Sequence, residues 1–207
     1  MASGGSLRHT PRAMTPDPTQ AAEPDAGRLA LVTGGSQGIG AAIVRALHAS
    51  GARVVVAARR LGPCEELCAE LGPGATPLAL DVTDADAIAA LPARLAADMG
   101  APLDWLVNNA GAADSAPLAK SDDELYCRLM EINFHGARRL AGAFLPGMVE
   151  RDHGRVVSVA SSAGLVGSPY VTAYCASKHA LVGYTRAAAA ELARTDVGVA
   201  AVCPHYV

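Results

Sequence analysis

Aromatic side chains are scarce in this 207-residue chain, which has one Trp, five Tyr and two Phe, 4% of the total. Ala, Val and Gly are abundant instead, which suits close-packed layers of small side chains and argues against an aromatic-rich β-sandwich. No apolar run approaches the roughly 20 residues that cross a bilayer, so no membrane association is expected. Basic residues number 17 against 20 acidic ones, for a net charge of −3. They are scattered, and without a Lys/Arg block nucleic acid is excluded as an expected partner. The five cysteines, Cys64, Cys68, Cys127, Cys175 and Cys203, have neither the even count nor the spacing of a disulfide framework. No secretory signal precedes them, and a reducing, cytoplasmic setting is expected. Cys64 and Cys68 could share a helix face, yet no paired histidines or second Cys pair follows at a zinc-site spacing, so no metal is expected. His48, His135, His153, His179 and His205 stand singly.

What is present is an apolar fraction of 51%, enough for one sizeable core in a chain too short for two ordinary domains. Residues 1–27 carry four prolines and mixed charges without periodic apolar positions, the composition of a disordered tail. Acidic Asp17, Glu23 and Asp25 argue against a transit peptide there. From Arg28 onward, short β-branched runs alternate with longer helical stretches. Strands are expected at Leu29–Thr33, Arg53–Ala58, Thr76–Leu80, Leu103–Val107, Arg155–Ala160 and Val197–Val202. Strands apolar on both faces belong in a sheet covered by helices on both sides. The expected fold class is therefore α/β, a doubly wound parallel sheet of the Rossmann type in a single domain, residues 28–207. Thr83 with Asp86, and Ser121 with Glu124, read as helix-opening capping boxes.

The first strand runs into Thr33-Gly34-Gly35-Ser36-Gln37-Gly38-Ile39-Gly40, and a helical pattern over Ala41–Ala49 follows. Glycines at 34, 38 and 40 permit a tight turn, close backbone approach to a phosphate and close helix packing, while the helix N-terminus favours a pyrophosphate. The Gly-x-x-x-Gly-x-Gly spacing departs from the commoner Gly-x-Gly-x-x-Gly fingerprint. It resembles the opening motif of the short-chain dehydrogenases/reductases, which implies an NAD(P) cofactor cradled by Gly34, Ser36, Gln37, Gly38, Ile39 and Gly40. The second strand ends in Ala58-Arg59-Arg60, where NAD-selective members carry an acid. An Arg can clamp a 2′-phosphate, so Arg59 favours NADP over NAD, unless both arginines are merely solvated. The resemblance also gives Asp81 and Val82 an adenine contact, and makes Asn108-Asn109-Ala110-Gly111 the segment that lines the cofactor cleft, with Asn109, Ala110 and Gly111 as contacts.

Tyr174 and Lys178 open a long helical pattern at i and i+4, on one helix face. A phenol with a pKa near 10 needs roughly 4 kcal/mol to reach about 7. An ammonium about 4 Å away in a medium of effective dielectric near 20 supplies about that much. The pair is thus expected to donate and accept a proton near working pH. Ser161 lies thirteen residues before Tyr174 at a strand end, where a hydroxyl can stabilise charge developing on a carbonyl oxygen. Ser162 is its neighbour, and the family's Ser-to-Tyr spacing selects Ser161. The resemblance adds Asn133, inside the helical stretch Ser121–Glu150, as the residue that bends that helix and holds a water linking Lys178 to solvent. Asn133, Ser161, Tyr174 and Lys178 would then be the catalytic set, with Ser161 and Tyr174 also meeting substrate.

Members of the family usually continue past the sixth strand with a substrate-covering segment and a seventh strand, whereas this sequence stops at Val207. Their Pro-Gly reads Pro204-His205 here, with Pro204 expected against the cofactor. Two functional classes follow. One is an NADP-preferring enzyme interconverting a ketone and a secondary alcohol, with a 3-oxoacyl thioester as candidate substrate. The other is a silent, shortened cofactor-binding form acting through full-length partners. In the family, the helical stretches Ser121–Glu150 and Thr172–Thr195 make the subunit contacts, which implies a homodimer or homotetramer.

Overall fold

A computed structural model describes residues 25–205. Most of the expected tail lies outside the described residues, although residues 25–27 form a turn tied to the domain by Gly27 N donating to Gly51 O at 3.2 Å. Six parallel strands, β1 (Leu29–Thr33), β2 (Arg53–Ala58), β3 (Ala75–Ala79), β4 (Trp105–Asn108), β5 (Gly154–Val159) and β6 (Val197–Val202), form one sheet in the order β3-β2-β1-β4-β5-β6. Six helices connect and cover them: α1 (Gly38–Ala49), α2 (Gly62–Leu71), α3 (Ala85–Met99), α4 (Asp123–Met130), α5 (Gly136–Glu150) and α6 (Thr172–Glu191). The order reverses between β1 and β4, and in such sheets the crevice outside the carboxyl ends at that reversal is where ligands bind.

Period-two alternation sends each strand's side chains to two cores. Leu29 and Leu31 of β1, with Val55 and Ala57 of β2, pack with Leu91 of α3 and with Leu140 and Met148 of α5. Val32, Val54 and Val56 point the other way, onto Val44 of α1 and Cys64 and Leu67 of α2. Each of these side chains is essentially removed from water, a burial that contributes about 1.5–3 kcal/mol per large apolar residue. Pro77 sits in β3, which among the described residues pairs only with β2, the edge position where a missing N–H costs no ladder bond.

The expected elements are present, with local corrections. β3, β4 and β5 are displaced by one or two residues from their expected bounds. The helix after β3 is capped by Asp84, whose Oδ1 accepts from Ala87 N at 2.9 Å, in place of Thr83. Likewise Asp122, accepting from Leu125 N at 2.9 Å, replaces Ser121 as the cap of α4. In both cases an Asp lies one residue nearer the helix, and a carboxylate is favoured by the helix dipole. The stretch expected as one helix, Ser121–Glu150, is broken into α4 and α5 by a π turn, Glu131–His135. The stretch expected to run to Thr195 stops at Glu191.

Candidate active site

At the sheet reversal, β1 and β4 are stapled together by polar groups that their sequences place at the strand ends. The Thr33 hydroxyl donates to Val107 O (3.3 Å) and accepts from the Asn109 and Ala110 amides, both at 3.1 Å. Asn109 Nδ2 donates to the carbonyls of Thr33 and Gly34, each at 3.0 Å. Asn109 therefore fixes the glycine turn from behind. Gly40 makes this approach possible, because a Cβ there would lie 2.1 Å from the Gly34 oxygen.

In front of the turn is open space. Gly38 has φ +53°, a left-handed conformation that favours glycine, and nothing lies within 4 Å of where its Cβ would point. Gln37, the N-cap of α1, makes no side-chain capping bond. The first amides of α1 are left for an anion, at the positive end of the helix dipole. A cavity of about 920 Å³ extends from this point. It is lined by Gly34, Ser36, Gln37, Gly38, Ile39 and Gly40, by Arg59 and Arg60 beyond β2, by Asp81 and Val82 beyond β3, and by Asn109, Ala110 and Gly111 beyond β4. Of the expected cofactor contacts, those from Gly34 to Gly111 thus share one cavity. Asp81 is held in place by Thr83, whose amide (2.9 Å) and hydroxyl (2.8 Å) both donate to Oδ1. Those bonds, the backbone one first, and the nearby Arg59 charge hold its carboxyl below the usual Asp range. The space, the free amides and the arginines fit a dinucleotide.

Two of the expected catalytic residues, Asn133 and Lys178, lie at the Gly111 edge of this cavity. A Cβ on Gly111 would be 3.0 Å from Asn133 Oδ1 and 3.5 Å from Lys178 Nζ, so glycine alone lets the two groups reach the cleft. Asn133 is buried in the π turn. Its Oδ1 accepts from Ala112 N (2.8 Å), and its Nδ2 donates to Ala112 O (2.8 Å) and Ser177 Oγ (3.0 Å). Lys178 is buried on α6 and donates to Val159 O at 3.0 Å. Its Nζ stands 5.8 Å from the Tyr174 ring centroid. The amine thus lies over the ring and is held by a backbone carbonyl. Burial pushes the Lys178 amine down to about 8, opposed by Cys203.

Ser161 begins a 3₁₀ turn, Ser162–Gly164, where its Oγ accepts from Ala163 N at 3.1 Å. Pro204 sits beside that turn, its carbonyl accepting from Ser162 N at 2.8 Å. The ends of β5 and β6 therefore bring Ser161 and Pro204 together, with Lys178 joined to the same end of β5 through Val159.

Sequence reasoning missed several groups here. Arg128, Glu131 and Ile132 also line the cavity. Their i, i+3, i+4 spacing on the helix leading to Asn133 was the available signal. Arg128 pairs with Asp114 at 2.7 Å, and Glu131 pairs with Arg139. Ser177 was missed as well. Cys64 and Cys68 are buried, and burial pushes both thiols up, Cys68 to about 11. No helix among the described residues is long and apolar enough to cross a membrane.

The family described as short chain dehydrogenase matches residues 28–207. The 3-oxoacyl-[acyl-carrier-protein] reductase of Haemophilus influenzae is 35% identical over 181 residues, 87% of this chain and 74% of that protein. The sorbitol dehydrogenase of Cereibacter sphaeroides is 38% identical over 182 residues, 87% of this chain and 71% of that protein. A crystal structure of a short-chain dehydrogenase from Streptomyces avermitilis superposes with a TM-score of 0.82 at 35% identity. The match covers 86% of this chain and 66% of that one.

Proposed function

The chain belongs to the short-chain dehydrogenase family, a family of NAD(P)-dependent oxidoreductases, and from that premise we propose that it interconverts a ketone and a secondary alcohol with NADP(H). The observation that carries this reading is the junction at Gly111, where the dinucleotide-sized cavity meets Lys178 and Asn133. The Gly34–Gly40 turn and Arg59 would hold a nicotinamide dinucleotide, which would supply the hydride chemistry. Tyr174 gives its phenolic proton to the carbonyl oxygen during reduction, and the Lys178 ammonium above its ring favours the phenolate left behind. Ser161 Oγ steadies the charge growing on that oxygen. Asn133, by the family resemblance, bends its helix and holds a water that links Lys178 to solvent.

Preference for NADP rests on Arg59 and Arg60, the cavity's cations beyond β2. A guanidinium there suits a 2′-phosphate dianion, and Ala58 leaves no carboxylate to repel it. The preferred substrate is a 3-oxoacyl thioester, the class named for the Haemophilus relative; the sorbitol dehydrogenase likeness makes a polyol the alternative. Pairing of two chains would use α5 and α6, where Leu145, Pro146 and Val149 face Tyr184, Ala188 and Leu192 across an apolar groove. Five free thiols suit a reducing cytoplasm.

The test is NADPH binding and oxidation by the purified chain with a panel of 3-oxoacyl thioesters and keto sugars, beside Tyr174→Phe. Losing the proton donor should lower kcat by about 10²–10⁴, with NADPH binding kept. A folded chain that binds NADPH weakly and turns over little, despite its intact catalytic set, would be the silent form instead.

A further inference from the structure

Ser177 is a hydroxyl in the middle of a buried helix face, fully excluded from solvent, and neither its burial nor its bonds are explained by proton transfer. Its Oγ donates to the carbonyl of Tyr174, one turn earlier in α6, at 2.8 Å, and accepts from Asn133 Nδ2 at 3.0 Å. The other Nδ2 hydrogen goes to Ala112 O, and Asn133 Oδ1 takes the Ala112 amide. Every donor of the Asn133 amide and of the Ser177 hydroxyl is therefore spent. Together they join three separate elements: the segment after β4 at Ala112, the π turn at Asn133, and the backbone that carries Tyr174.

Resting on the enzymatic reading above, we propose that Ser177 is a positioning residue. It locks the Asn133 turn to the catalytic helix, and so sets where Tyr174 and Lys178 stand relative to the Gly111 wall. A serine bonded back to a helical carbonyl weakens that helix locally, so its retention in a buried turn needs a second partner, and Asn133 is that partner. The π turn fits the same logic. An extra residue in the helix displaces the register of the side chains, here at Glu131–His135, with Asn133 buried toward α6.

The experiment compares Ser177→Ala, Asn133→Ala and the double variant by native-state amide hydrogen exchange and by steady-state kinetics with NADPH. With the hydroxyl gone, one Asn133 N–H is left unpaired in the interior. Exchange at Ala112 should then quicken by about tenfold while β1 and β4 keep their protection. Turnover should fall by about the same factor, with KM for NADPH within about twofold, and the double variant should be no slower than Asn133→Ala, because the two residues act through one bond. The proposal is overturned if exchange at Ala112 is unchanged, if it rises equally in β1, or if the two losses multiply. A wild-type chain without turnover would overturn the enzymatic reading instead, and the exchange data would still decide whether the lock exists.

Discussion

The Gly34–Gly40 turn and the Tyr174–Lys178 turn stand on either side of Gly111, and they are made of different materials. The first is backbone: free amides, a left-handed glycine and a helix end, with side chains such as Asn109 supporting from behind. The second is built from side chains, and Asn133, Ser177 and Lys178 each bond to an element distant in sequence. A backbone site is set once the chain path is set, and it fails when a Cβ intrudes. A side-chain site depends on how several elements pack, and it fails by degrees. That difference predicts the order of the effects that follow.

Gly40→Ala should be the most damaging change at the nucleotide end. The added carbon would meet the Gly34 oxygen at 2.1 Å and Asn109 Nδ2 at 2.5 Å, both rigidly held, so α1 must move away from β1. NADPH affinity should drop about 100-fold or more, with a destabilisation of about 1–3 kcal/mol from overpacking; isothermal titration and a thermal melt measure both. Gly38→Ala meets no atom and is strained only by its positive φ, by about 1–2 kcal/mol. If the two variants behaved alike, conformational strain and not the close approach would govern the turn.

The chemical end should answer to pH. Lys178 releases its proton at about 8 when folded, against 10.5 unfolded. Reduction therefore loses the supporting ammonium as pH rises through about 8, and kcat should decline above that point. Stability moves the other way. Between about 8 and 10.5 the unfolded chain binds more protons at this site than the folded one, so the Lys178 contribution to stability grows with pH in that window and is flat below it, opposed from about 9 upward by the buried Cys68 thiol, which is pushed up to about 11. A pH-rate profile and urea unfolding from pH 6 to 10.5 test both limbs. A profile flat to pH 10, or a stability difference between wild type and Lys178→Met that falls across the window, would show that Lys178 is not the buried cation described here.

How much of this was legible in the sequence follows the same division. Glycine spacing announces a backbone cradle because glycine is favoured at φ +53° and alone leaves room for the approach at Gly40, and the strand positions follow from short apolar runs between helical stretches. Tyr174 and Lys178 were legible because i, i+4 is local geometry. The break at Glu131–His135 was not. Its residues, Glu-Ile-Asn-Phe-His, read as an ordinary helix, and Asn133 was placed there by resemblance to a family. What defines the π turn is tertiary: a Cβ on Gly136 would lie 2.6 Å from Val82 O, and Asn133 is tied to Ala112 and Ser177. The capping shifts to Asp84 and Asp122 were local, and were missed because two eligible residues stood side by side. The Tyr174–Lys178 contact was legible in kind, whereas the bond from the amine to Val159 O is tertiary and was not.

Arg59→Ala should separate the two cofactors. Beside the cavity, the Arg59 charge also helps hold Asp81 ionised. Removing it should weaken NADPH by about tenfold, the loss of one charge-assisted bond, and change NADH by less than about twofold. Equal losses for both would place Arg59 in support of Asp81 alone, and move the 2′-phosphate reading to Arg60.

The smallest effect should come from the ion pair at the cavity rim, Arg128 with Asp114. Its 2.7 Å distance looks strong, yet both side chains are about half exposed, at 46% and 49%. Water and salt screen such a pair, so Asp114→Ala should cost no more than about 1 kcal/mol in stability. The pair still joins α4 to the segment between Gly111 and the 3₁₀ turn Leu118–Lys120. Beneath it, Asn133 already ties that segment down at Ala112 with two buried bonds. Chemistry that depends on the buried bonds should be indifferent to the outer pair, and kcat of Asp114→Ala should stay within about twofold at 0.15 M salt, where exposed charges are screened beyond about 8 Å. A larger fall, growing as salt is lowered, would mean that the rim and not the buried amide holds the segment, and would move the boundary between the two materials outward.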